Sequence, residues 1–176
     1  MLIVQEADYS NALSRLSAAT SGTGKGYLEE ARAALKSMLA DRSLLDHVPL
    51  ERSPGAYTRN FLFGDDKITV YAIIWSAGSQ TSIHDHHCSC CFGIWSGSIE
   101  ESWYEAVDGA HAVLSRQFVR HAGETACMLP SGPNLHKMSN DTGQETISIH
   151  IYGYDRQTRP SSIDCEYRLF NGPKSQ

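Results

Sequence analysis

The 176-residue sequence lacks the features of several large functional classes. Its 15 basic residues are outnumbered by 20 acidic ones and form no cluster, so nucleic-acid binding is not expected, because phosphate contacts need grouped cations. No apolar run approaches the roughly 18 residues of a membrane span. The N-terminal MLIVQEADYS carries acids where a secretory signal would carry lysines. These absences predict a cytoplasmic protein that binds neither nucleic acid nor a membrane.

Cysteine is scarce and unevenly distributed. Three of the five cysteines, Cys88, Cys90 and Cys91, fall within four positions, and the others are Cys127 and Cys165. A structural zinc site usually takes two C-x-x-C pairs, which the sequence does not have. Cysteines this close together are poor disulfide partners, so we expect reduced thiols. Cys127 and Cys165 are interpreted as structural residues.

The first 50 residues predict helices and the remainder predicts strands. Apolar residues recur at helical spacing in two segments, as Leu13, Leu16 and Ala19 and then as Leu28, Ala31, Leu35 and Leu39. The polar TSGTGKG separates these two helices. From about Tyr57, short runs rich in β-branched and aromatic residues alternate with turns: KITVYAIIW, CFGIWSGSIEESWYEA, HAVLSRQFV, ACMLP and TISIHIYGY. The prediction is one all-β domain, a sandwich, jelly roll or barrel at residues 51–176, with a helical cap at residues 1–50.

The segment SIHDHHCSCC contains half of a candidate metal site. His84 and His86 are two residues apart, and on a β-strand such side chains share one face, while Asp85 points to the other. His87 has the wrong parity and is expected to face outward. Even if a third histidine completes the site, three imidazoles can hold iron or zinc equally well, so such a ligand set does not identify the metal.

The spacing of glycines and histidines in this segment, and in a second segment downstream, resembles the two sequence motifs of the cupins. Gly78, His84, His86, Cys90 and Gly97 follow the spacing of the first motif, with cysteine where most cupins carry glutamate. PSGPNLHKMSN resembles the second motif and supplies His136. The resemblance implies a double-stranded β-helix, that is, a jelly-roll barrel in which the three histidines meet.

Further stretches resemble the cysteine dioxygenases, the thiol dioxygenase branch of the cupins. YTRN supplies Tyr57 and Arg59, IIWSAG supplies Trp75, and SIHIYGY supplies the remaining three residues, Ser148, His150 and Tyr152. The resemblance implies that Fe(II) is held by His84, His86 and His136. It also implies that both atoms of dioxygen are added to the sulfur of a small thiol, with L-cysteine giving cysteine sulfinic acid in cysteine catabolism.

The same resemblance implies a role for each of these residues. Arg59 binds the substrate carboxylate, with Tyr57 and Trp75 as the neighbouring pocket wall. Ser148, His150 and Tyr152 form a line that ends with the tyrosine hydroxyl beside the iron. Some members of the family carry a thioether crosslink from this tyrosine to a cysteine, and here Cys90 and Cys91 are both candidates, with Cys90 slightly favoured.

Three alternatives remain open at this stage. The substrate could be another carboxylated thiol such as 3-mercaptopropionate, although Arg59 favours L-cysteine. The protein could instead be a cupin oxygenase of a non-thiol substrate, or a non-enzymatic metal-binding cupin. A monomer is expected in each case.

Overall fold

The computed structural model describes residues 9–19 and 24–170. In this part of the chain there are two helices and ten strands: α1 Tyr9–Ala19, α2 Gly24–Ala40, β1 Tyr57–Gly64, β2 Thr69–Trp75, β3 Ile83–His86, β4 Cys90–Ser96, β5 Ser98–Ala106, β6 His111–His121, β7 Thr125–Met128, β8 His136–Ser139, β9 Thr146–Tyr152 and β10 Ile163–Leu169. The predicted all-β architecture with an N-terminal helical segment is confirmed. Residues 1–8 and 171–176, at the two ends of the predicted domains, and residues 20–23 of the predicted linker lie outside the described residues.

The two helices bury their apolar faces against each other and against the back of one sheet. Leu16, Ala31 and Leu35 are fully buried, which is the face predicted from the helical spacing. Helix α2 approaches β4 so closely that a Cβ on Gly93 would meet Leu39 at 2.6 Å. A larger residue at position 93 would therefore push the Leu39 side chain aside. Neither described helix combines the length and the apolar composition that are needed to span a lipid bilayer.

The sheet under the helices has the strand order β1-β2-β9-β4-β7. Every residue of β2 and of β9 is buried, because these inner strands are covered on both faces. Alternate residues therefore enter two different cores: Ile147, Ile149 and Ile151 pack with the helices. Tyr152 and the β2 residues Ile73 and Trp75 pack on the opposite face. Burial on both faces explains why the sequence of β2 is almost continuously apolar, whereas β9 alternates isoleucines toward the helices with Ser148 and His150 toward the second core.

The second sheet closes on itself in the order β10-β3-β8-β5-β6. Its inner strand β8 pairs with β3 on one side, which sets His84 directly opposite His136. On the other side β8 pairs with β5, which sets Trp103 opposite His136. The register thus brings a residue from the middle of the chain next to one that lies 52 positions later. These two sheets enclose the second core, and the histidines lie at its edge.

Most predicted strands are present, with three differences. The run CFGIWSGSIEESWYEA is two strands, since the chain turns at Gly97, where φ is +79° and a Cβ would meet Thr146 Oγ1 at 2.5 Å. Strand β10 was not predicted, because its residues are mostly exposed and form no apolar run. Strands β1, which extends from the YTRN motif to Gly64, and β8 were not among the predicted runs either. The domain boundary at residue 50 stays a prediction, and the helices share one hydrophobic core with β2, β4 and β9.

Candidate metal centre and pocket

Three buried imidazoles meet at the mouth of the second core. Strand β3 presents His84 and His86 on one face, as the spacing predicts, and β8 supplies His136. One ligand nitrogen from each ring lies within 4.8 Å of the other two, and His86 Nε2 is 3.1 Å from His136 Nε2. The side chains are at most 4% exposed. Neutral imidazole nitrogens that converge in this way suit a divalent transition metal.

The outer nitrogen of each ring has an oxygen acceptor. His84 Nδ1 is 3.0 Å from the carbonyl oxygen of Ser82, and His86 Nδ1 is 3.3 Å from the carbonyl oxygen of Ser162. His136 Nδ1 is 3.2 Å from the carboxylate oxygen Oε1 of Glu101. Because carbonyl and carboxylate oxygens only accept, each Nδ1 carries the hydrogen and each Nε2 offers its lone pair to the centre.

Burial keeps His84 and His86 in the neutral form that binds metal. Burial, together with the repulsion between protonated rings at this site, lowers the pKa of His84 to about 3 and the pKa of His86 to about 2. Desolvation disfavours the protonated ring, which carries the charge. At neutral pH these two rings therefore need not lose a proton before a metal ion binds.

Glu101 of β5 is a site residue that the sequence reasoning missed. Its side chain is fully buried, with Oε1 facing His136 and Oε2 in an ion pair with Arg120 at 2.7 Å. Burial acts to raise the pKa of this carboxyl, but the hydrogen bond with His136 and the charge of Arg120 outweigh it, so the pKa is lowered. The signal was present in the alternation of β5, where Glu101 has the same parity as Ile99 and Trp103. An acid on the apolar face of a strand indicates a buried partner.

The predicted serine–histidine–tyrosine line is present on β9 and begins at Trp75. The indole N–H of Trp75 donates to Ser148 Oγ at 2.8 Å, and Ser148 Oγ lies 2.9 Å from His150 Nε2. His150 Nδ1 lies 3.1 Å from Tyr152 Oη. An indole only donates, so the consistent direction has Ser148 donating to Nε2 and Nδ1–H donating to Tyr152. This direction leaves the hydroxyl hydrogen of Tyr152 available to the pocket.

The surroundings hold this line in its uncharged form. Burial lowers the pKa of His150 to about 3, and burial with the nearby Cys90 raises the pKa of Tyr152 well above its ordinary value. The ring of Phe92 stacks on His150 with centroids 5.1 Å apart. The ring of Tyr152 also lies against the rings of Tyr71 and Tyr154, with centroids 6.3 and 5.9 Å away. His150 and Tyr152 are thus fixed from several sides.

Arg59 lies exposed at the mouth of the same pocket. It makes no ion pair with any described carboxylate, and its strand neighbour Tyr57 packs its ring on Trp75 with centroids 5.0 Å apart. The pocket brings together every predicted metal and substrate residue. It is lined by Tyr57, Arg59, Ile73, Trp75, Thr81, His84, His86, Cys90, His136, Met138, His150, Tyr152, Ser162 and Ile163.

Adjacent cysteines of β4 point to opposite faces of the sheet. Cys90 is buried in the pocket core and lies opposite Tyr152 in the pairing of β4 with β9. Cys91 packs in the core beneath the helices and forms a disulfide with Cys127 of β7. The expectation of reduced thiols is therefore wrong for Cys91 and Cys127, since strand pairing brings together residues that are 36 positions apart. Cys91 is also wrong as a crosslink candidate, because it faces away from Tyr152.

The remaining residues of the histidine-rich segment stay out of the metal centre. Asp85 faces away from the metal ligands and accepts hydrogen bonds from the backbone N–H of Cys165 and from the hydroxyl of Tyr167. His87 is partly buried rather than on the surface, with Nε2 2.9 Å from the carbonyl oxygen of Ser161. Its ring lies against Tyr154. The orientation of Asp85 is thus the one that strand parity predicts, whereas the outward, surface position expected for His87 is wrong, because β3 ends at His86.

The comparisons with known proteins identify relatives of this chain. The rat and human proteins named cysteine dioxygenase type 1 (Rattus norvegicus and Homo sapiens) are each 29% identical over 100 residues, or 54% of this chain. The chain spans about half the length of these curated relatives. A solved protein with a double-stranded β-helix domain from Klebsiella pneumoniae superposes with a TM-score of 0.50 at 17% identity, over 65% of this chain and 89% of that one. This likeness supports the predicted cupin fold.

The family comparison covers all but two of the residues that line the pocket. The family model described as cysteine dioxygenase type I matches residues 51–158, which include all three histidines, Arg59 and Tyr152. The match extends over more than half of the chain and includes every residue that the sequence assigned to the site. The protein therefore belongs to the cysteine dioxygenase type I family.

Proposed function

We propose that the protein is a non-haem iron thiol dioxygenase that converts L-cysteine to cysteine sulfinic acid. The overall reaction is RSH + O2 → RSO2H, in which both oxygen atoms join the sulfur. Sulfur loses four electrons, dioxygen gains four, and the thiol hydrogen ends on the sulfinic acid, which lies two steps above the thiol in the ordinary thiol oxidation series. The observation that carries this proposal is that an unpaired arginine and an uncharged tyrosine face the same pocket as three converging imidazoles.

The imidazoles of His84, His86 and His136 would hold Fe(II). The fit rests on three neutral nitrogen donors with convergent Nε2 atoms, and on the lack of any described carboxylate among the pocket-lining residues. Bound Fe(II) would supply Lewis acidity that favours the thiolate form of the substrate, together with the redox chemistry that dioxygen requires. The protein supplies the positions of the other reacting groups.

Arg59 would bind the substrate carboxylate. Its guanidinium has no competing ion pair in the described chain and can form a charge-assisted, bidentate contact. Tyr57 and Trp75 would form the wall beside it and hold the substrate between the arginine and the imidazoles. With its carboxylate bound to Arg59, the substrate would be oriented with its thiol pointing toward the three histidines.

Tyr152 would donate a hydrogen bond from Oη to the reacting oxygen or to the substrate. Because His150 donates to the same oxygen from its other side, the tyrosine hydrogen is directed away from His150. The Ser148 hydroxyl and the Trp75 indole fix the tautomer of His150 in turn. The high pKa of Tyr152 keeps the hydroxyl protonated at neutral pH.

Cys90 would form a thioether crosslink to the ring of Tyr152. The two side chains are in contact, and Cys90 is the cysteine of the pair that faces the pocket. Forming the bond removes the thiol hydrogen and one ring hydrogen, and the two electrons pass to dioxygen. A crosslink would hold the tyrosine ring at a single angle.

A second substrate, 3-mercaptopropionate, is favoured by one specific observation. No described Asp or Glu lines the pocket, so the protein offers no anionic partner for the amino group of L-cysteine. A thiol with a carboxylate but no amine would meet the same Arg59 and the same imidazoles. The discrimination between the two therefore depends on contacts of the amine with the metal ion.

The test is oxygen uptake by the protein loaded anaerobically with Fe(II) and offered L-cysteine, 3-mercaptopropionate, cysteamine and mercaptosuccinate in turn. The proposal expects uptake with L-cysteine, matched by one mole of sulfinate per mole of oxygen. Fastest turnover with 3-mercaptopropionate would support the second substrate. Oxygen consumption without thiol loss, or no uptake while iron stays bound, would refute thiol dioxygenation.

We further propose that the protein acts in the cytoplasm as a monomer, with a small thiol and dioxygen as its only partners. Disulfides are rare in the cytosol, but the Cys91–Cys127 disulfide lies in the core beneath the helices, where burial limits the access of the thiols that would reduce it. Size-exclusion chromatography with light scattering measures the mass in solution. A mass near 19.4 kDa is expected, and twice that value would contradict the monomer.

A further inference from the structure

The three imidazoles differ in the group that accepts the hydrogen bond from Nδ1. Two of them, His84 and His86, donate to neutral backbone carbonyls, whereas His136 donates to the carboxylate of Glu101 at 3.2 Å. Glu101 is fully buried, and His136 is 1% exposed. One ligand of the three is thus hydrogen-bonded to an anion from which water is excluded.

The carboxylate of Glu101 is held from its far side by Arg120 of β6. Arg120 Nε donates to Oε2 at 2.8 Å and its terminal nitrogen lies 2.7 Å from the same oxygen. The guanidinium of Arg120 stacks on the ring of Phe118 with its carbon 4.9 Å from the ring centroid. Arg120 is only partly buried, so this pair connects the imidazole at the centre with the protein surface.

We infer that Glu101 is a positioning residue for the metal centre, which fixes His136 with Nδ1 protonated and adds a negative charge that strengthens metal binding, and that Arg120 limits this effect. A carboxylate behind a metal-binding imidazole orients the ring and makes Nε2 a stronger donor. The cation of Arg120 draws part of the same charge away from the imidazole. The inference rests on the metal centre proposed above but not on the thiol chemistry.

This arrangement predicts that substitutions of Glu101 and of Arg120, the two partners of one ion pair, have opposite effects on metal affinity. Removing the charge of Glu101 weakens the donor, so metal binding becomes weaker. Removing the charge of Arg120 leaves a buried carboxylate whose remaining partner is the Nδ1–H of His136, so more of its negative charge acts on a metal ion held by that ring and metal binding becomes tighter. A purely structural role for the ion pair predicts weaker binding in both variants, because either change would loosen β5 against β6.

The experiment titrates Co²⁺ into the full-length protein under anaerobic conditions and follows the visible absorption of the bound ion against a competing chelator. The variants are Glu101→Gln and Arg120→Gln. Two neighbours on the same strands serve as matched controls: Glu100→Gln, whose carboxylate bonds Ser102 and Gln117, and Arg116→Gln, whose guanidinium lies over the ring of Trp103. Circular dichroism checks that each variant is folded.

The expected result is a Co²⁺ dissociation constant that rises by about 10- to 100-fold in Glu101→Gln and falls several-fold in Arg120→Gln. Both controls are expected to stay close to the wild-type value. A Glu101→Gln protein that binds Co²⁺ as the wild type does, or an Arg120→Gln protein with unchanged or weaker binding, would overturn the inference. If Glu101→Gln fails to fold, the sign of the change in Arg120→Gln still decides.

Cobalt binding needs neither thiol nor oxygen, so the two proposals can fail separately. Normal cobalt affinities with the predicted signs, combined with no oxygen uptake for any thiol, would refute the dioxygenase activity and leave the role of Glu101 standing. Thiol oxidation by the wild type, together with an unchanged Co²⁺ affinity in Glu101→Gln, would refute the role of Glu101 and leave the dioxygenase activity standing. A wild-type protein that binds no Co²⁺ would overturn the inference along with the metal centre.

Discussion

Replacing Arg59 with alanine tests whether this residue binds the carboxylate of the substrate. L-Cysteine and cysteamine share a thiol and an amine and differ only in that carboxylate. The wild-type protein is expected to favour L-cysteine, and Arg59→Ala is expected to remove this preference while Fe(II) binding stays intact, because Arg59 lines the pocket mouth and is no candidate ligand of the metal.

The magnitude follows from the exposure of the side chain. A hydrogen bond to a charged group contributes about 1.5–3 kcal/mol to binding. Arg59 is exposed and unpaired, so solvent screening keeps even a bidentate contact within about that range. A loss of this size raises the KM for L-cysteine by roughly 10- to 150-fold, since each 1.4 kcal/mol is about a factor of ten. The KM for cysteamine should change little.

The assay measures kcat and KM by oxygen uptake for both thiols with the wild type, Arg59→Ala and the control Arg168→Ala. Arg168 is an exposed arginine of β10 and is not among the pocket-lining residues, so its removal should leave both thiols unaffected. A loss of kcat/KM by the same factor for L-cysteine and cysteamine would refute the reasoning. It would show that Arg59 supports the pocket in general and does not read the carboxylate.

Three other perturbations test separate parts of the site. Tyr152→Phe removes only the donor hydroxyl and should lower kcat by about 10²-fold with little change in KM or in iron content, whereas a change confined to KM would contradict the donor role. Tryptic mass spectrometry after turnover should show the Cys90 and Tyr152 peptides joined and lighter by two hydrogens, and Cys90→Ser should abolish this species; two separate, unmodified peptides would exclude the crosslink. Finally, burial lowers the pKa values of His84, His86 and His150 from the ordinary 6.5 to about 2 to 3. As the pH falls below 6.5, these histidines therefore take up protons in the unfolded chain but not in the folded protein. The metal-free protein should therefore lose about 1.4 kcal/mol of unfolding free energy per histidine between neutral pH and pH 5.5, seen by urea denaturation, and equal stability at both pH values would contradict the burial argument.

The residues that sequence reasoning found are those that local spacing determines. His84 and His86 share a face because of the two-residue period of a strand, and the same period aligns Ser148, His150 and Tyr152. Their roles came from resemblance, which supplies chemistry that spacing alone does not contain. His136 could be joined to the other two histidines only through the second motif, since nothing local shows that β8 lies beside β3.

The residues that were missed depend on register between distant strands. Glu101 reaches His136 because β5 pairs with β8, with Glu101 opposite Met138 and Trp103 opposite His136. Cys91 reaches Cys127 because β4 pairs with β7. Pairings of this kind are fixed by the closure of the whole fold, and a single sequence does not encode them in any short segment. The parity of Glu101 was a usable signal, but it named no partner.

Strand β9 has consequences for how activity can be altered from a distance. One of its faces carries the hydrogen-bonded line that ends at Tyr152, and its other face carries Ile147, Ile149 and Ile151, which pack under the helices. A conservative change such as Ile149→Val, which touches no substrate, would shift the strand that carries His150 and Tyr152. If the protein has the proposed activity, laboratory evolution could therefore adjust turnover through the packing of the helical segment while leaving every pocket side chain unchanged.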